Sequence, residues 1–320
     1  MTYGKVSGVG KPVARVVHGT TMLTTDALEQ GMDLLDGVFA AGGTTFDSAW
    51  NYGGGDCERV LGAWMERRGN REQVVILTKG CHPNQDRVRV TPADLTSDLL
   101  DSLARLRTGY VDIYLLHRDD PSLPVDAIVA TMAEHHAAGR IHAYGGSNWS
   151  VPRIEEANAY AARHGLPAFA ASSPNYSLAV QLRAPWDGCL SIGGPEAAGD
   201  RDWYRRTQLP LFSWSSLAGG FFSGRFGRDK PRPDSGREVL SADTYCSEGN
   251  FDRLEAAQTI GRTHGVSAAR VALAYIMQTG LDVYPIAASA TPDEFADNAA
   301  ALDLQLSDEE IRGLRGSQPD

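Results

Sequence analysis

The stretch TTFDSAWNYGGGDCERVLGAWMERR, from Thr44 to Arg68, contains a short apolar strand, a glycine-rich turn and an amphipathic helix. The predicted strand, Thr44–Asp47, ends on an acid, and the predicted helix covers Asp56–Arg68. A strand joined to a helix in this way is the building unit of a parallel sheet. The fold therefore depends on how often this unit recurs along the chain.

The unit recurs from one end of the chain to the other. Eight strands are predicted, at Ala14–His18, Thr44–Asp47, Val74–Lys79, Val111–His117, Ile141–Gly146, Ala168–Ser172, Leu211–Trp214 and Val283–Ala287. Helices are predicted at Asp26–Ala41, Asp56–Arg68, Pro92–Arg107, Pro124–Ala138, Val151–His164, Arg201–Thr207, Phe251–His264, Ser267–Gln278 and Pro292–Ala301, with a last one opened by Ser307. Eight strands, each followed by helical sequence, predict an α/β fold, a (β/α)₈ TIM barrel.

Other features of the chain fit a barrel better than its rival, a doubly wound sheet. That fold would require a G-x-G-x-x-G turn after the first strand, where the chain instead reads HGTTM from His18. Residues 3–13 predict an N-terminal β-hairpin that turns at Ser7-Gly8. We expect one domain over residues 1–320, with the long segments 183–199 and 224–249 at its C-terminal face.

Composition narrows the classes of partner. The net charge is −10 and the pI is about 5.3, without a basic stripe, so nucleic acid and anionic membranes are unexpected partners. The sequence has no apolar run long enough to span a bilayer and no apolar signal core at its start. Its four cysteines form no CxxC pair. These features predict a cytoplasmic protein.

Four polar residues lie at or just after the ends of consecutive predicted strands: Asp47, Tyr52, Lys79 and His117. Each alone could be an ordinary solvated or hydrogen-bonded residue, but together they form a coherent acid–base set. A lysine ammonium stabilises a tyrosine phenolate and lowers its pKa, and a carboxylate keeps the lysine charged. A histidine beside the phenol can orient a carbonyl or pass a proton. Such an acid needs a hydride donor to complete a reduction.

The motifs around these residues resemble one family. FDSAWNYG at Phe46, ERVLG at Glu58, LTKG at Leu77, LLHR at Leu115 and GGSN at Gly145 are together similar to the aldo-keto reductases, over essentially the whole chain. The resemblance implies a (β/α)₈ barrel that reduces carbonyls with NAD(P)H. It also implies the tetrad Asp47, Tyr52, Lys79 and His117, with Tyr52 as the general acid. A histidine rather than a glutamate at position 117 favours C=O over C=C reduction in this family.

The resemblance further implies where a nicotinamide cofactor would bind. Ser147 and Asn148 match the carboxamide contacts, Ser173 replaces a usual glutamine, and Trp214 matches the ring that stacks on the nicotinamide. The implied cofactor-binding residues are Gly19, Thr20, Asp47, Ser147, Asn148, Ser173, Trp214, Ser215, Leu217, Gly219, Gly220, Arg225, Ala288, Ser289, Glu294 and Asn298.

The adenosine end departs from the family's usual pattern. Members that prefer NADP(H) carry Lys or Arg there for the 2′-phosphate. Here the chain has Ala288, Ser289 and Ala290, with the acid Glu294 nearby. A carboxylate accepts a hydrogen bond from a ribose hydroxyl and repels a phosphate. The interpretation therefore leans slightly towards NAD(H) or dual use, rather than NADP(H) alone.

The substrate and the rival functions stay open at this point. The predicted pocket residues are Trp50, His82, Trp149, Tyr176 and Trp186, which suit a sugar carbonyl or an aryl carbonyl about equally. A metal-dependent barrel is disfavoured, since His18 is expected to be a hydrogen-bonded histidine near the cofactor rather than a ligand. The alternative function is a cofactor-binding regulatory subunit with little turnover, because potassium-channel β subunits share the resemblance. The oligomeric state is not predicted.

Overall fold

The computed structural model describes residues 1–316, and within them ten strands and eleven α-helices. The strands are β1 (Tyr3–Gly4), β2 (Val13–Ala14), β3 (Val17–Gly19), β4 (Thr45–Asp47), β5 (Val75–Gly80), β6 (Val111–Leu116), β7 (Ile141–Ser147), β8 (Ala171–Ser173), β9 (Leu211–Ser213) and β10 (Val283–Ala287). The helices are α1 (Leu28–Ala40), α2 (Asp56–Arg68), α3 (Pro92–Arg105), α4 (Asp126–Ala137), α5 (Val151–His164), α6 (Ala198–Thr207), α7 (Gly236–Tyr245), α8 (Glu248–His264), α9 (Ala268–Met277), α10 (Pro292–Ala299) and α11 (Asp308–Arg315).

Eight of the strands form a closed barrel. Their order is β10-β3-β4-β5-β6-β7-β8-β9, so apart from the pair β10 and β3, which joins the last strand to the first, neighbours in the barrel are also neighbours in the chain. The pairs with an assigned register are parallel, as between β5 and β6, where Leu77 lies opposite Ile113. The separate pair β1 and β2 is antiparallel, with Tyr3 opposite Ala14. The predicted (β/α)₈ barrel with an N-terminal hairpin is confirmed.

Burial explains why the barrel strands are recognisable in the sequence. Every residue of β5 and of β6 is buried, including the polar Thr78 and Asp112. Strands of a parallel sheet are covered on both faces, so they appear as nearly continuous apolar runs. Between them, α2 and α3 bury one face each and leave the other in water. This alternation is the pattern from which the barrel was predicted.

The first predicted strand is divided in the structure. Residues 13 and 14 join the hairpin, where the Ala14 backbone N–H also donates to the Thr45 hydroxyl at 2.8 Å. The barrel strand β3 begins only at Val17 and pairs with β4. Apolar residues lie on both sides of Arg15 in this stretch, and the hydrogen-bond partners distinguish the two strands.

The expectation of a loop over residues 224–249 is wrong in part. The helix α7 lies inside this segment, and α8 begins at Glu248 rather than at Phe251, with the Ser247 side chain as its cap. α7 is rich in polar residues and buries few side chains, so its apolar periodicity is weak. The earlier segment, 183–199, contains a short 3₁₀ turn at Pro195–Ala197 that runs into α6.

Contacts within the chain cluster into two compact units. The first comprises Met1–Ser173 and Ala288–Phe295, and the second comprises Pro174–Ala287 and the chain from Ala296 onwards. The expectation of a single domain stays a prediction.

Among the described residues, no helix is both long enough and apolar enough to cross a bilayer.

Candidate active site

In the first unit, the ends of adjacent strands bring three of the predicted catalytic side chains to one rim. Asp47 is the last residue of β4, Lys79 is next to last in β5, and His117 directly follows β6. These strands pair in parallel, so their carboxyl ends lie side by side. The sequence placed these residues on separate strands, and the barrel brings them together.

Tyr52 reaches the same rim from the loop after β4. The loop is fixed by its backbone: Ser48 N–H donates to the Leu77 carbonyl and Trp50 N–H to the Lys79 carbonyl, both at 2.8 Å. After Tyr52 the chain turns through Gly53 and Gly54, whose φ angles are 56° and 62°. Most side chains avoid this left-handed region, so glycine permits the turn that leads into α2.

Lys79 connects the acidic and phenolic groups. Its ammonium is only 2% exposed; it donates to the Asp47 carboxylate, to the Ser48 carbonyl at 3.0 Å and to the Tyr52 hydroxyl at 3.5 Å. Burial would lower the pKa of Lys79, but Asp47 and Tyr52 outweigh it and the pKa is raised. Burial raises the pKa of Asp47, against the opposing effect of Lys79. The lysine therefore stays charged at neutral pH.

The net shift of Tyr52 differs from the expectation. Lys79 does act to lower the pKa of the phenol, as predicted from the sequence. Burial acts in the opposite direction and is the larger effect, so the pKa of Tyr52 is raised above its usual value. Tyr52 is consequently a fully protonated phenol at neutral pH, with a cation beside it that would stabilise its phenolate.

His117 lies edge-on to Tyr52, with 5.7 Å between the ring centroids, and 4.8 Å from the ring of His82. Burial, reinforced by the Lys79 charge, holds the pKa of His117 well below its usual range. The ring is therefore neutral at pH 7. Among the described residues, its Nδ1 is buried without a hydrogen-bond partner.

The predicted carboxamide contacts in this unit form a small polar group. The Ser147 hydroxyl donates to the Ser173 carbonyl at 2.9 Å, and the Asn148 amide donates to the His117 carbonyl at 3.3 Å. Asn148 has a φ of 60°, an uncommon backbone conformation outside glycine. The Ser173 hydroxyl is buried and has no partner within residues 1–316. Thr20 donates to the Asp47 carbonyl at 2.9 Å, and Gly19 pairs with Asp47 in the sheet.

Glu294 has a local structural role that the sequence did not indicate. Its carboxylate accepts from the Ala290 backbone N–H at 2.7 Å, while its own N–H donates to the Thr291 hydroxyl at 3.1 Å. Such reciprocal bonds satisfy backbone donors at a helix start, here that of α10. Capping alone is therefore a sufficient reason for an acid at position 294. Ala288 and the buried Ser289 precede this cap.

The second unit contains the remaining predicted cofactor residues. Trp214 follows β9 half-buried, with its carbonyl accepting from the Asn175 amide at 2.9 Å. Gly219 and Gly220 have φ angles of 62° and 89°, and a Cβ at Gly220 would lie 2.3 Å from the Arg225 guanidinium. These two glycines are thus required by the backbone itself. Ser215, Leu217 and Asn298 also belong to this unit.

The predicted pocket residues have diverse environments. The Trp50 indole donates to Asp101 at 3.2 Å and lies under the Arg89 guanidinium. Trp149 is 1% exposed and donates to the Arg118 carbonyl at 3.1 Å, whereas Trp186 is 56% exposed. Tyr176 is buried in the second unit. Their predicted role in substrate binding stays a prediction.

The environment of His18 and the support of the Tyr52 loop both differ from what the sequence predicted. His18 is fully buried, and neither ring nitrogen has a hydrogen-bond partner among the described residues, so these residues do not supply the hydrogen bond expected for it. Sequence reasoning also missed Glu58 and Arg105, which support the Tyr52 loop. Arg105 donates to the Trp50 carbonyl at 2.7 Å and to Glu58 at 3.3 Å. The signal in the sequence that could have indicated this support was Glu58, an acidic residue on the apolar face of α2.

Comparison with known proteins identifies the class. A thermostable aldo-keto reductase bound to the inhibitor epalrestat has the same fold, with a TM-score of 0.74, 22% identity, and coverage of 98% of this chain and 99% of the other. An aldo-keto reductase from Klebsiella pneumoniae in complex with NADPH gives a TM-score of 0.70 at 24% identity, covering 98% and 94%. At these identities the similarity establishes the fold alone, a (β/α)₈ barrel.

Sequence comparison then gives the family. The family model described as "Aldo/keto reductase family" matches residues 15–318, and the chain belongs to that family, whose members are oxidoreductases acting on carbonyl groups. A norsolorinic acid reductase of Emericella nidulans is 28% identical over 319 residues, covering 91% of this chain and 72% of its own. An aryl-alcohol dehydrogenase of Pestalotiopsis microspora is 26% identical over 299 residues, covering 89% and 72%.

Proposed function

We propose that this protein reduces an aldehyde or ketone to an alcohol with NAD(P)H, and that Tyr52 donates the proton. The observation that carries the proposal is the buried Lys79 ammonium, in contact with both the Asp47 carboxylate and the Tyr52 hydroxyl. A phenol poised against a buried cation is suited to general acid catalysis. Family membership supplies the reaction class.

The side chains of Ser147, Asn148 and Ser173 are suited to bind the carboxamide group of a nicotinamide. The buried Ser173 hydroxyl lacks a partner among the described residues, and an amide could complete its hydrogen bonding. Ser147, Asn148 and Ser173 would hold the ring, which supplies the hydride when bound. Trp214, Ser215, Leu217, Gly219, Gly220, Arg225, Ala288, Ser289 and Asn298 are proposed as further cofactor contacts on the family resemblance.

In the proposed reduction, each tetrad residue has its own part in delivering a proton to the carbonyl oxygen. The carbonyl oxygen becomes more basic than a phenolate as it gains charge, so the Tyr52 proton moves to it despite the raised pKa of the phenol. Lys79 stabilises the phenolate that remains, and Asp47 keeps Lys79 charged and aimed. His117, being neutral, can donate one hydrogen bond to the carbonyl oxygen but cannot act as a cationic acid.

The Tyr52→Phe variant tests this assignment directly. Removing the phenol proton should reduce kcat with 4-nitrobenzaldehyde by about 10²–10⁴-fold at pH 7. Cofactor binding, followed by nicotinamide fluorescence, should change little. Tyr3→Phe, which removes an exposed hydroxyl elsewhere, is the matched control. Wild-type kcat in Tyr52→Phe would overturn the role of Tyr52.

The same assays address the alternative of a regulatory subunit. A protein that binds NADPH or NADH tightly but reduces no member of a broad carbonyl panel would support that alternative. Within the panel, we propose aryl and sugar carbonyls as the first substrates to compare. The matched relative named as an aryl-alcohol dehydrogenase supports including the aryl class.

For the cofactor, we propose NAD(H) or dual use. The support is the absence of Lys and Arg from residues 288–294 and the presence of Glu294. The capping bond to Ala290 uses one carboxylate oxygen of Glu294, which leaves the other as an acceptor. The test is kcat/KM with NADH against NADPH. A hundredfold preference for NADPH would overturn the proposal.

A further inference from the structure

A crevice within the second unit is lined by four arginines and by none of the tetrad residues. Its cavity is about 50 Å³, and among its lining residues are Arg201, Arg205, Arg253, Arg315, Tyr176 and Tyr275. This volume exceeds the roughly 10–15 Å³ needed by one water molecule. The crevice can therefore accommodate a small polar group.

Two of the arginines that line the crevice are buried. Arg201 is 9% exposed and Arg253 is 6% exposed. Arg201 donates to the carbonyls of Ile192 and Gly194. Arg253 donates to the carbonyls of Gly249 and Arg315, at 2.9 and 3.2 Å, and to the Asn250 amide oxygen. Within the described part of the chain, neither guanidinium forms an ion pair with a carboxylate.

The nearest acids along the helices do not supply the missing charge. Asp202 pairs with Arg205, and Asp252 pairs with the exposed Arg228. The pKa of Asp200 is raised by burial, which outweighs the opposing effect of Arg201. Burial also lowers the pKa of Arg253. A buried cation that has no ion-pair partner among the described residues is costly, so a ligand of opposite charge is favoured here.

We propose that this crevice binds a phosphate-type oxyanion through Arg201 and Arg253. A tetrahedral oxyanion offers several acceptors to planar guanidinium groups, which bind such anions by paired hydrogen bonds. The Tyr275 and Tyr176 side chains line the same space. None of the tetrad residues and none of the proposed cofactor contacts lines the crevice, whereas Tyr176, which the sequence assigned to the substrate pocket, does. A free phosphate ion and the phosphate of a metabolite ester share this chemistry.

The experiment is a thermal-unfolding titration with inorganic phosphate at constant ionic strength. It uses the full chain, with and without saturating NADPH, and a parallel titration with glucose 6-phosphate distinguishes a free ion from an ester. The wild type should show a saturable increase in Tm under both conditions, since a ligand that binds only the folded state stabilises it. Arg201→Gln and Arg253→Gln should weaken apparent binding roughly tenfold or more.

Matched controls come from the same helices. Arg206→Gln in α6 and Arg262→Gln in α8 remove exposed arginines that do not line the crevice, and they should retain the wild-type response. If a buried variant does not fold, the half-exposed Arg205→Gln and equilibrium dialysis of phosphate replace it. An equal increase in Tm in every variant would reveal only a general salt effect and overturn the proposal. Loss of the effect with NADPH would assign the phosphate to the cofactor site instead.

Discussion

Lys79, Tyr52 and His117 show how burial sets chemistry at the scale of single residues. Lys79 and His117 are buried and Tyr52 is half-buried beside them, and burial disfavours the charged form of each. Only Lys79 has a carboxylate in contact, so it alone among the three stays charged. The result is a neutral phenol, a neutral imidazole and one cation, which is the combination that a proton donor to a developing alkoxide requires.

Replacing Lys79 by Met should reduce kcat far more than cofactor binding, because the ammonium acts on the Tyr52 phenolate. We expect kcat at pH 7 to fall by about 10²-fold or more, with the dissociation constant of the cofactor little changed. The variant leaves Asp47 buried and unpaired, so Asp47→Asn,Lys79→Met is the control that restores stability without restoring kcat. An unchanged kcat in Lys79→Met would contradict the role.

His18 should make folding sensitive to acid. Its pKa is lowered from 6.5 to about 4 by burial between Phe46 and Phe295. Between these two values the unfolded chain binds a proton that the folded chain does not, so the free energy of unfolding decreases as pH falls. The His18 contribution amounts to about 3 kcal/mol over this range.

The measurement is urea unfolding of wild type and His18→Leu between pH 7 and 4. The variant should lose that part of the pH dependence. His164→Leu, which replaces an exposed histidine, should keep it. Parallel pH profiles for the wild type and His18→Leu would show that His18 is not the group responsible.

At the scale of elements, α2 and α3 support the loop that carries Tyr52. Glu58 in α2 is fully buried and accepts from Thr78, the neighbour of Lys79, at 2.7 Å. Arg105, the last residue of α3, links Glu58 to the Trp50 carbonyl. The central carbon of its guanidinium lies only 2.6 Å from the position that a Cβ at residue 55 would take, so Gly55 leaves room for this side chain. Two helices thus fix both ends of the loop.

Arg105→Met should therefore impair turnover as well as folding. Losing the bond to Trp50 loosens the loop, and a misplaced acid costs rate, so we expect kcat to fall about tenfold or more with KM changed less. Leaving Glu58 unpaired should lower the free energy of unfolding by about 3–5 kcal/mol.

The double variant Glu58→Gln,Arg105→Met separates these two effects. It removes the unpaired charge, so stability should recover while kcat stays low. Arg107→Met, which breaks a surface pair with Glu66, is the control and should change neither quantity greatly. Recovery of kcat together with stability in the double variant would show that Arg105 acts only through folding.

At the scale of the whole molecule, the cysteines report on global unfolding. Cys57 and Cys81 are buried, and burial raises the pKa of Cys57 to about 11 and that of Cys81 further. Cys189 and Cys246 are half-buried. The thiolate is the reactive form of cysteine. Burial therefore protects Cys57 and Cys81 both by excluding the reagent and by keeping their thiols protonated.

Iodoacetamide at pH 8 should therefore modify only Cys189 and Cys246 in the folded protein. Cys57 and Cys81 should react when urea unfolds the chain, with a midpoint equal to that of circular dichroism. Mass spectrometry of digested protein identifies the modified residues. Rapid alkylation of Cys57 in the absence of urea would indicate local opening around α2.

Much of this organisation is local and could be predicted from the sequence. The strands β5 and β6 and the helices α2 and α5 follow from apolar periodicity and caps, and their predicted bounds agree with the structure to within a residue or two. The positions of Asp47, Lys79 and His117 at strand ends follow from the same pattern. These features depend on neighbouring residues in the chain, which the sequence displays directly.

Only the tertiary structure decided the net pKa shifts, the partners of each side chain and the bounds of weakly patterned elements. The raised pKa of Tyr52 reflects a competition between burial and Lys79, which depends on distances across the barrel rim. Trp149 is enclosed, Glu294 caps α10, and α7 lies within a segment expected to be a loop. The sequence by itself determined the barrel and the identity of the polar residues on its rim. Solvation and charge depend on which distant residues meet, so their chemical state required the folded chain.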